Sequence, residues 1–156
     1  MTKDDHIRLI LDECKRQGIT APNQLAYILA TVQHETAGTF TPLDEYGGRK
    51  TRYAPFWGRG YVQLTWKVNY QKYAKLTGLD LVGFPDKAKD PKIAAFILVH
   101  GFKHGTFTGK KISDYIVGTS CDFTNARRCI NGTDKAALIA SYARLWLTKL
   151  GRYAVG

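Results

Sequence analysis

The chain has 156 residues, 44% hydrophobic and 23% charged, an ordinary globular balance and enough length to bury one core. Twenty-three Lys and Arg against thirteen Asp and Glu leave a formal net charge of +10. That charge favours polyanionic partners through long-range attraction, whether nucleic acid, anionic membrane or acidic cell wall. Three cysteines, Cys14, Cys121 and Cys129, are too few and too odd in number for a disulfide framework; they read as reduced thiols, with one Cys121 to Cys129 bridge left open. The first ten residues mix Asp4, Asp5 and Arg8 with few apolar side chains, so no signal-peptide core is expected, and no apolar run reaches membrane-spanning length. The expectation is one domain over residues 1–156, made in a cytoplasm.

Ile7, Ile10, Leu11 and Cys14 follow helical spacing after a Thr2-x-x-Asp5 capping box, and Gly18 supplies a stop. Thr20 and Pro22 open a second helix in which Leu25, Ile28, Leu29 and Val32 recur at i, i+3, i+4 and i+7 up to Gly38. From Thr39 to Thr65 the periodicity fails among prolines, glycines and aromatics, and a long irregular stretch in a compact domain is usually functional. Within it, Val62 to Thr65 alternates as a short strand or hairpin arm would. Trp66, Tyr70, Tyr73 and Leu76 predict a helix ended by Gly78, and Asp90-Pro91 opens another carrying Ile93, Phe96 and Ile97. A short helix is expected around Ile112 to Val117. The last helix is expected from about Thr133 to Gly151, burying Leu138, Tyr142, Leu145 and Trp146.

Continuing the second helix's stripe three residues beyond Val32 reaches Glu35, so a carboxyl falls on the face that points inward. Partial burial and the negative end of the helix dipole both disfavour the anion, the setting of a general acid. A glutamate turned to solvent, or paired with Arg49 or Arg59, fits the position equally well. His34-Glu35 begins like the zinc-protease signature H-E-x-x-H, but position 38 is Gly38 and the histidine pair is missing. His100 and His104 have i, i+4 spacing without a completing ligand, so no metal is expected. Asp44 and Glu45 stand nine and ten residues after Glu35, across a turn containing Gly38 and Pro42, which permits a facing carboxylate pair.

Three segments, in order, carry a family resemblance. They are His34-Glu35-Thr36-Ala37-Gly38, the long Gly58-Arg59-Gly60-Tyr61-Val62-Gln63-Leu64-Thr65-Trp66-Lys67-Val68-Asn69-Tyr70, and Ala126-Arg127-Arg128-Cys129-Ile130-Asn131-Gly132. Together they resemble family 19 glycoside hydrolases, the chitinase-like group that includes many phage endolysins. The resemblance implies a mainly α, lysozyme-like helical domain with a substrate cleft and at most a small β-hairpin region. It implies hydrolysis of β-1,4 bonds beside N-acetylated sugars with inversion and without a cofactor. Glu35 then falls on the general acid and Glu45 on the general base, with Asp44 as its substitute. Thr65 falls on the hydroxyl that positions water, although it could equally cap the helix at Trp66. Gln63, Asn69 and Asn131 match substrate-contacting positions, where amides both donate and accept, and Asn131 before Gly132 also suits a turn. Tyr61 offers a face for sugar stacking and Arg59 a planar fork for a carboxylate, whereas Trp66 and Tyr70 are expected in the core. Compared with plant-type members the chain is short and poor in cysteine, so long loops forming distant sugar subsites are not expected.

The positive charge tilts the expected substrate from uncharged chitin to anionic peptidoglycan, cut between N-acetylmuramic acid and N-acetylglucosamine. The expected setting is the cell wall, reached from a host cytoplasm after membrane permeabilisation, by a monomer that also meets the anionic bacterial surface. Alternatives are a chitinase, a lytic transglycosylase, against which Glu45 and Thr65 argue, and a non-enzymatic module whose basic Lys149-to-Arg152 helix end acts on anionic lipid. Arg127-Arg128 and the scattered lysines form no nucleic-acid motif and are expected to be solvated.

Overall fold

The computed structural model describes residues 1–153. Helix α1 (Lys3–Arg16) starts on the expected capping box: the Asp5 N–H donates to Thr2 Oγ1 at 3.1 Å and the Thr2 N–H to Asp5 Oδ2 at 2.7 Å. It buries Ile7, Ile10 and Cys14 and packs on α4 (Pro91–His104). Asp90 caps α4, accepting from the Lys92 and Ile93 N–H groups, with Pro91 in the first turn where its missing donor costs nothing. Helix α2 (Pro22–Glu35) buries Tyr27, Ile28, Leu29 and Val32, and α3 (Lys67–Thr77) ends, as its sequence predicts, on left-handed Gly78.

The last helix, α5 (Ala136–Lys149), begins later than Thr133 and turns Trp146 inward as expected, but not Leu138 or Leu145. It buries Ile139, Ala140, Ala143 and Trp146, while Leu138 and Leu145 are exposed, Leu145 at 56%. The reason is its partner. Helix α5 lies along α2, where Ala26 and Ala30 are fully buried, and small residues on both helices permit a close approach that a leucine stripe would prevent. Trp146 locks this pair, packing edge-on to Phe40 at 5.5 Å and donating its indole N–H to Gln33 Oε1 at 2.8 Å. Burying a side chain of that size contributes roughly 1.5–3 kcal/mol, so the end of α2 is among the best-anchored parts of the molecule.

Among the described residues, sheet structure is confined to two small hairpins. β1 (Leu43–Asp44) pairs antiparallel with β2 (Arg59–Gly60), and β3 (Ile116–Val117) with β4 (Ser120–Cys121). Two expectations change here. The expected helix at Ile112 to Val117 is a single 3-10 turn (Ile112–Asp114) followed by β3. The arm expected at Val62 to Thr65 falls instead on β2, with Leu64 only bridging back to Arg59. Cys14, Cys121 and Cys129 are free thiols, Cys121 exposed and the others buried. The architecture is mainly helical, with the irregular segment between α2 and α3 forming one wall of a cleft.

Candidate active site

Glu35 is the last residue of α2 and opens into a cleft of about 640 Å³, within the range of small-ligand sites. The chain turns sharply just after it because Thr36, fully buried, works in both directions. Its hydroxyl donates to the Val32 carbonyl at 2.7 Å and accepts the Phe40 N–H at 3.0 Å, while Ala37 and Gly38 take left-handed backbone conformations. The Glu35 side chain is 17% exposed, and its Oε1 accepts from Arg127 Nη1 at 3.1 Å.

That partner is neither Arg49 nor Arg59. Arg127, in the 3-10 turn Asn125–Cys129, is 3% exposed and also donates through Nε to the Asp134 carbonyl at 2.9 Å. It supplies the cation that a carboxylate at the negative end of a helix otherwise lacks. Its neighbour Arg128 is exposed, as expected of a solvated basic pair, whereas Arg127 sits in a stretch whose flanking Ala126 and Cys129 are both buried. That apolar flanking is the only local signal that could have found it.

The opposite wall comes from the irregular segment. Gln63, Thr65 and Asn69 line the cleft, and Asn131 faces them from beyond the 3-10 turn. Thr65 does not cap α3. Its hydroxyl donates to the Gln63 carbonyl at 2.8 Å, and Asn69 Nδ2 donates to the Thr65 carbonyl at 2.7 Å, so Thr65 fixes the backbone of Gln63 and Asn69 that of Thr65. Gln63 Nε2 donates to the Leu43 carbonyl at 3.0 Å and Asn131 Oδ1 accepts the Gly132 N–H at 2.9 Å, the turn contact its sequence suggests.

Glu45 stands behind this wall with both oxygens held. Oε1 accepts the Tyr53 hydroxyl at 2.5 Å and Oε2 the Gly58 N–H at 3.1 Å. The bond to Glu45 pushes the Tyr53 phenol above its ordinary range, so Tyr53 stays a donor. Tyr53 lines the cleft, and a Cβ on Gly58 would fall 2.9 Å from Gln63 Oε1 and 3.2 Å from Thr65 Oγ1. Glu45, Thr65 and Gln63 therefore converge on one corner, which closes only because residue 58 is glycine.

Asp44 and Glu45 both line a neighbouring pocket, but Asp44 is held by partners that do not touch the cleft. Trp57 Nε1 donates to its Oδ1 at 3.0 Å and Lys89 Nζ to its Oδ2 at 2.8 Å, with Arg59 Nε 3.5 Å away. Partial burial works against the Asp44 anion, but Lys89, Trp57 and Arg59 together outweigh it and hold the carboxyl below its ordinary range.

Three sequence expectations are corrected. Tyr61 is fully buried, with its hydroxyl 2.6 Å from His6 Nδ1, and presents no face to the cleft. Arg59 is 3% exposed and bonded to Asp86 Oδ1, the Pro55 carbonyl and the Tyr70 hydroxyl, so its fork organises the loop. Trp66, expected in the core, is 43% exposed and lines the cleft, because it precedes α3 with φ +74° and so escapes the helical register that buries Tyr70. Of the expected site residues, Glu35, Gln63, Thr65, Asn69 and Asn131 meet in the cleft, Glu45 joins them through Tyr53 and Gly58, and Arg59 and Tyr61 do not.

Chemically, the cleft offers one carboxyl beside a guanidinium, a tyrosine hydroxyl bonded to a second carboxylate behind the opposite wall, and amide and hydroxyl groups suited to N-acetyl and hydroxyl substituents. No family model matches the chain. Chitinase 8 of Oryza sativa is 34% identical over 82 residues, 47% of this chain and 31% of its own length. An endochitinase of Arabidopsis thaliana is 34% identical over 89 residues, 50% of this chain and 31% of its own. The matched region thus spans about a third of the length of these relatives. Among solved structures, chitinase C from Streptomyces griseus superposes with a TM-score of 0.63 at 21% identity, covering 84% of this chain and 59% of its own. A bacterial family 19 chitinase superposes at 0.61 and 18% identity, covering 94% of this chain and 85% of its own. The chain has the lysozyme-like fold of the family 19 chitinases.

Proposed function

We propose that this protein is a glycoside hydrolase of the family 19 type that cuts the β-1,4 bond between N-acetylmuramic acid and N-acetylglucosamine in peptidoglycan, as a phage-type endolysin does. The observation that carries the proposal is that Glu35 shares the cleft with Thr65 and with Tyr53, whose hydroxyl holds Glu45 behind the opposite wall. Glu35 protonates the leaving glycosidic oxygen as the C–O bond breaks. Glu45 takes a proton from a water oriented by the Thr65 hydroxyl, and that water attacks the anomeric carbon from the opposite face, inverting it. Such a mechanism requires the two carboxyls roughly 6.5–9.5 Å apart, room enough for the water. Gln63, Asn69 and Asn131 hold the sugar's acetamido and hydroxyl groups.

The net charge of +10 supports an anionic polymer over neutral chitin. In this reading the protein is made in a host cytoplasm and meets the wall once the membrane is permeabilised. Chitin is the second reading, favoured by the relatives that are chitinases. Purified protein incubated with peptidoglycan and with chitin oligomers decides between them: the proposal expects new reducing ends from peptidoglycan, and release from chitin alone defeats it. Mass spectrometry of the products separates hydrolysis from transglycosylation, since anhydro-muramic ends mean that no water was added.

A further inference from the structure

Arg59 is fully occupied inside the fold, so a carboxylate on the substrate has to be met by another cation. Arg52 stands beside the cleft-lining Trp66. Its guanidinium lies 5.4 Å from the centroid of the Trp66 ring, is exposed, and makes no ion pair or hydrogen bond among the described residues. Glu45, the acid of this corner, already has both oxygens taken by Tyr53 and Gly58. Trp66 in turn is well fixed. Its backbone N–H donates to the Phe56 carbonyl at 2.9 Å, and its ring packs against Tyr53 at 4.7 Å. A bulky residue rarely holds φ +74°, and here that conformation sets the indole at the cleft instead of in the core. The ring therefore holds a guanidinium at the cleft rim through a cation–π contact while leaving its N–H fork unpaired.

We propose that Arg52, positioned by Trp66, receives a carboxylate borne on the substrate and so makes the cleft prefer an acidic glycan over a neutral one. This rests on the peptidoglycan reading and names the group that selects it. The planar fork of arginine matches a carboxylate with two parallel hydrogen bonds, and a chitin chain carries no such group. On a muramic residue the acid hangs from the 3-position, either as the lactyl carboxylate freed when the stem peptide is removed or as a carboxylate of that stem. The shared chemistry is an anionic substituent on one face of one sugar.

The test compares wild type, Arg52→Gln and Arg52→Lys on three soluble substrates: stem-bearing peptidoglycan glycans, the same glycans stripped by an amidase, and chitin oligomers. In Arg52→Gln the ratio of kcat/KM on peptidoglycan glycans to that on chitin oligomers falls ~5-fold, mainly through KM, and Arg52→Lys recovers much of it. The wild-type ratio also declines with added salt, more steeply than that of Arg52→Gln. Whichever peptidoglycan arm shows the larger drop identifies the carboxylate. Equal losses on acidic and neutral substrates, or no recovery with lysine, overturn the proposal. If wild type leaves peptidoglycan uncut, the functional reading fails by itself, and Arg52 is then judged by binding. Glu35→Gln protein is titrated calorimetrically with muramic-acid oligomers and with chitin oligomers of equal length. A preference for the acidic ligand that disappears on adding Arg52→Gln supports the assignment, and absence of any preference overturns it.

Discussion

The two walls of the cleft hold their carboxylates by different means. Glu35 rides on the end of a regular helix whose inner face is locked to α5 through alanines, Trp146 and Phe40, and its direction follows from helical geometry. Glu45 follows a two-residue strand in a segment with little regular structure, and its carboxylate is aimed by two hydrogen bonds, from the Tyr53 hydroxyl and the Gly58 backbone N–H. A helix places a functional group through many weak backbone and packing terms, so no single substitution displaces it. A loop places one through a few specific contacts, each of which can be removed alone.

The comparison breaks most visibly at the carboxylates. Glu35→Gln keeps shape and burial but removes the transferable proton, and kcat on peptidoglycan or chitin oligomers is expected to fall roughly 10³-fold with the fold intact. Glu45→Gln is expected to cost kcat roughly 10²-fold or more, whereas Asp44→Asn, whose carboxylate faces Lys89 and Trp57, costs far less. Steady-state rates of the two variants side by side settle which acid serves as base, and a larger loss in Asp44→Asn reverses the assignment.

Arg127 tests whether the helical wall is as self-sufficient as it looks. Arg127→Met leaves Glu35 without its cation in a site only 17% exposed, and breaking such a pair is expected to destabilise the fold by about 3 kcal/mol. Urea unfolding reads this directly; an unchanged midpoint would show that α2 and α5 alone hold this wall. The loop side predicts a smaller, purely kinetic effect. Tyr53→Phe frees one oxygen of Glu45 and is expected to lower kcat ~5-fold while leaving urea stability nearly constant.

What could be read from the sequence follows the same division. The stripe Ile28, Val32, Glu35 has a period, so both the helix and the inward carboxyl were legible, as were the caps at Thr2, Asp90 and Gly78. Trp66 and Tyr70 are four residues apart and look like one helical face, yet a single left-handed residue at the start of α3 sends Trp66 to the cleft. Arg59 and Tyr61 have side chains that suit ligand binding, but their polar tips are satisfied inside the fold by Asp86, Tyr70 and His6, partners distant in sequence that no local pattern announces. Helix α5 was misphased for a related reason. Trp146 is buried as expected, but the close approach to α2 required Ala140 and Ala143 at the contact and left Leu138 and Leu145 outside.

The smallest expected effect separates loss of chemistry from loss of fold in acid. His6 is buried with Nδ1 2.6 Å from the Tyr61 hydroxyl, and burial, reinforced by the nearby amino terminus, pushes its imidazole below the ordinary value of 6.5. The folded protein thus binds this proton less readily than the unfolded chain. Stability from a neutral His6 is fully present above the unfolded value and is lost as pH falls through it toward the lower folded value. Wild type should therefore lose more Tm than His6→Gln between about pH 7.5 and about pH 5. Neither Glu35 nor Glu45 touches His6, so an acid limb in kcat that survives in His6→Gln belongs to the cleft. A limb that vanishes in that variant belongs to unfolding.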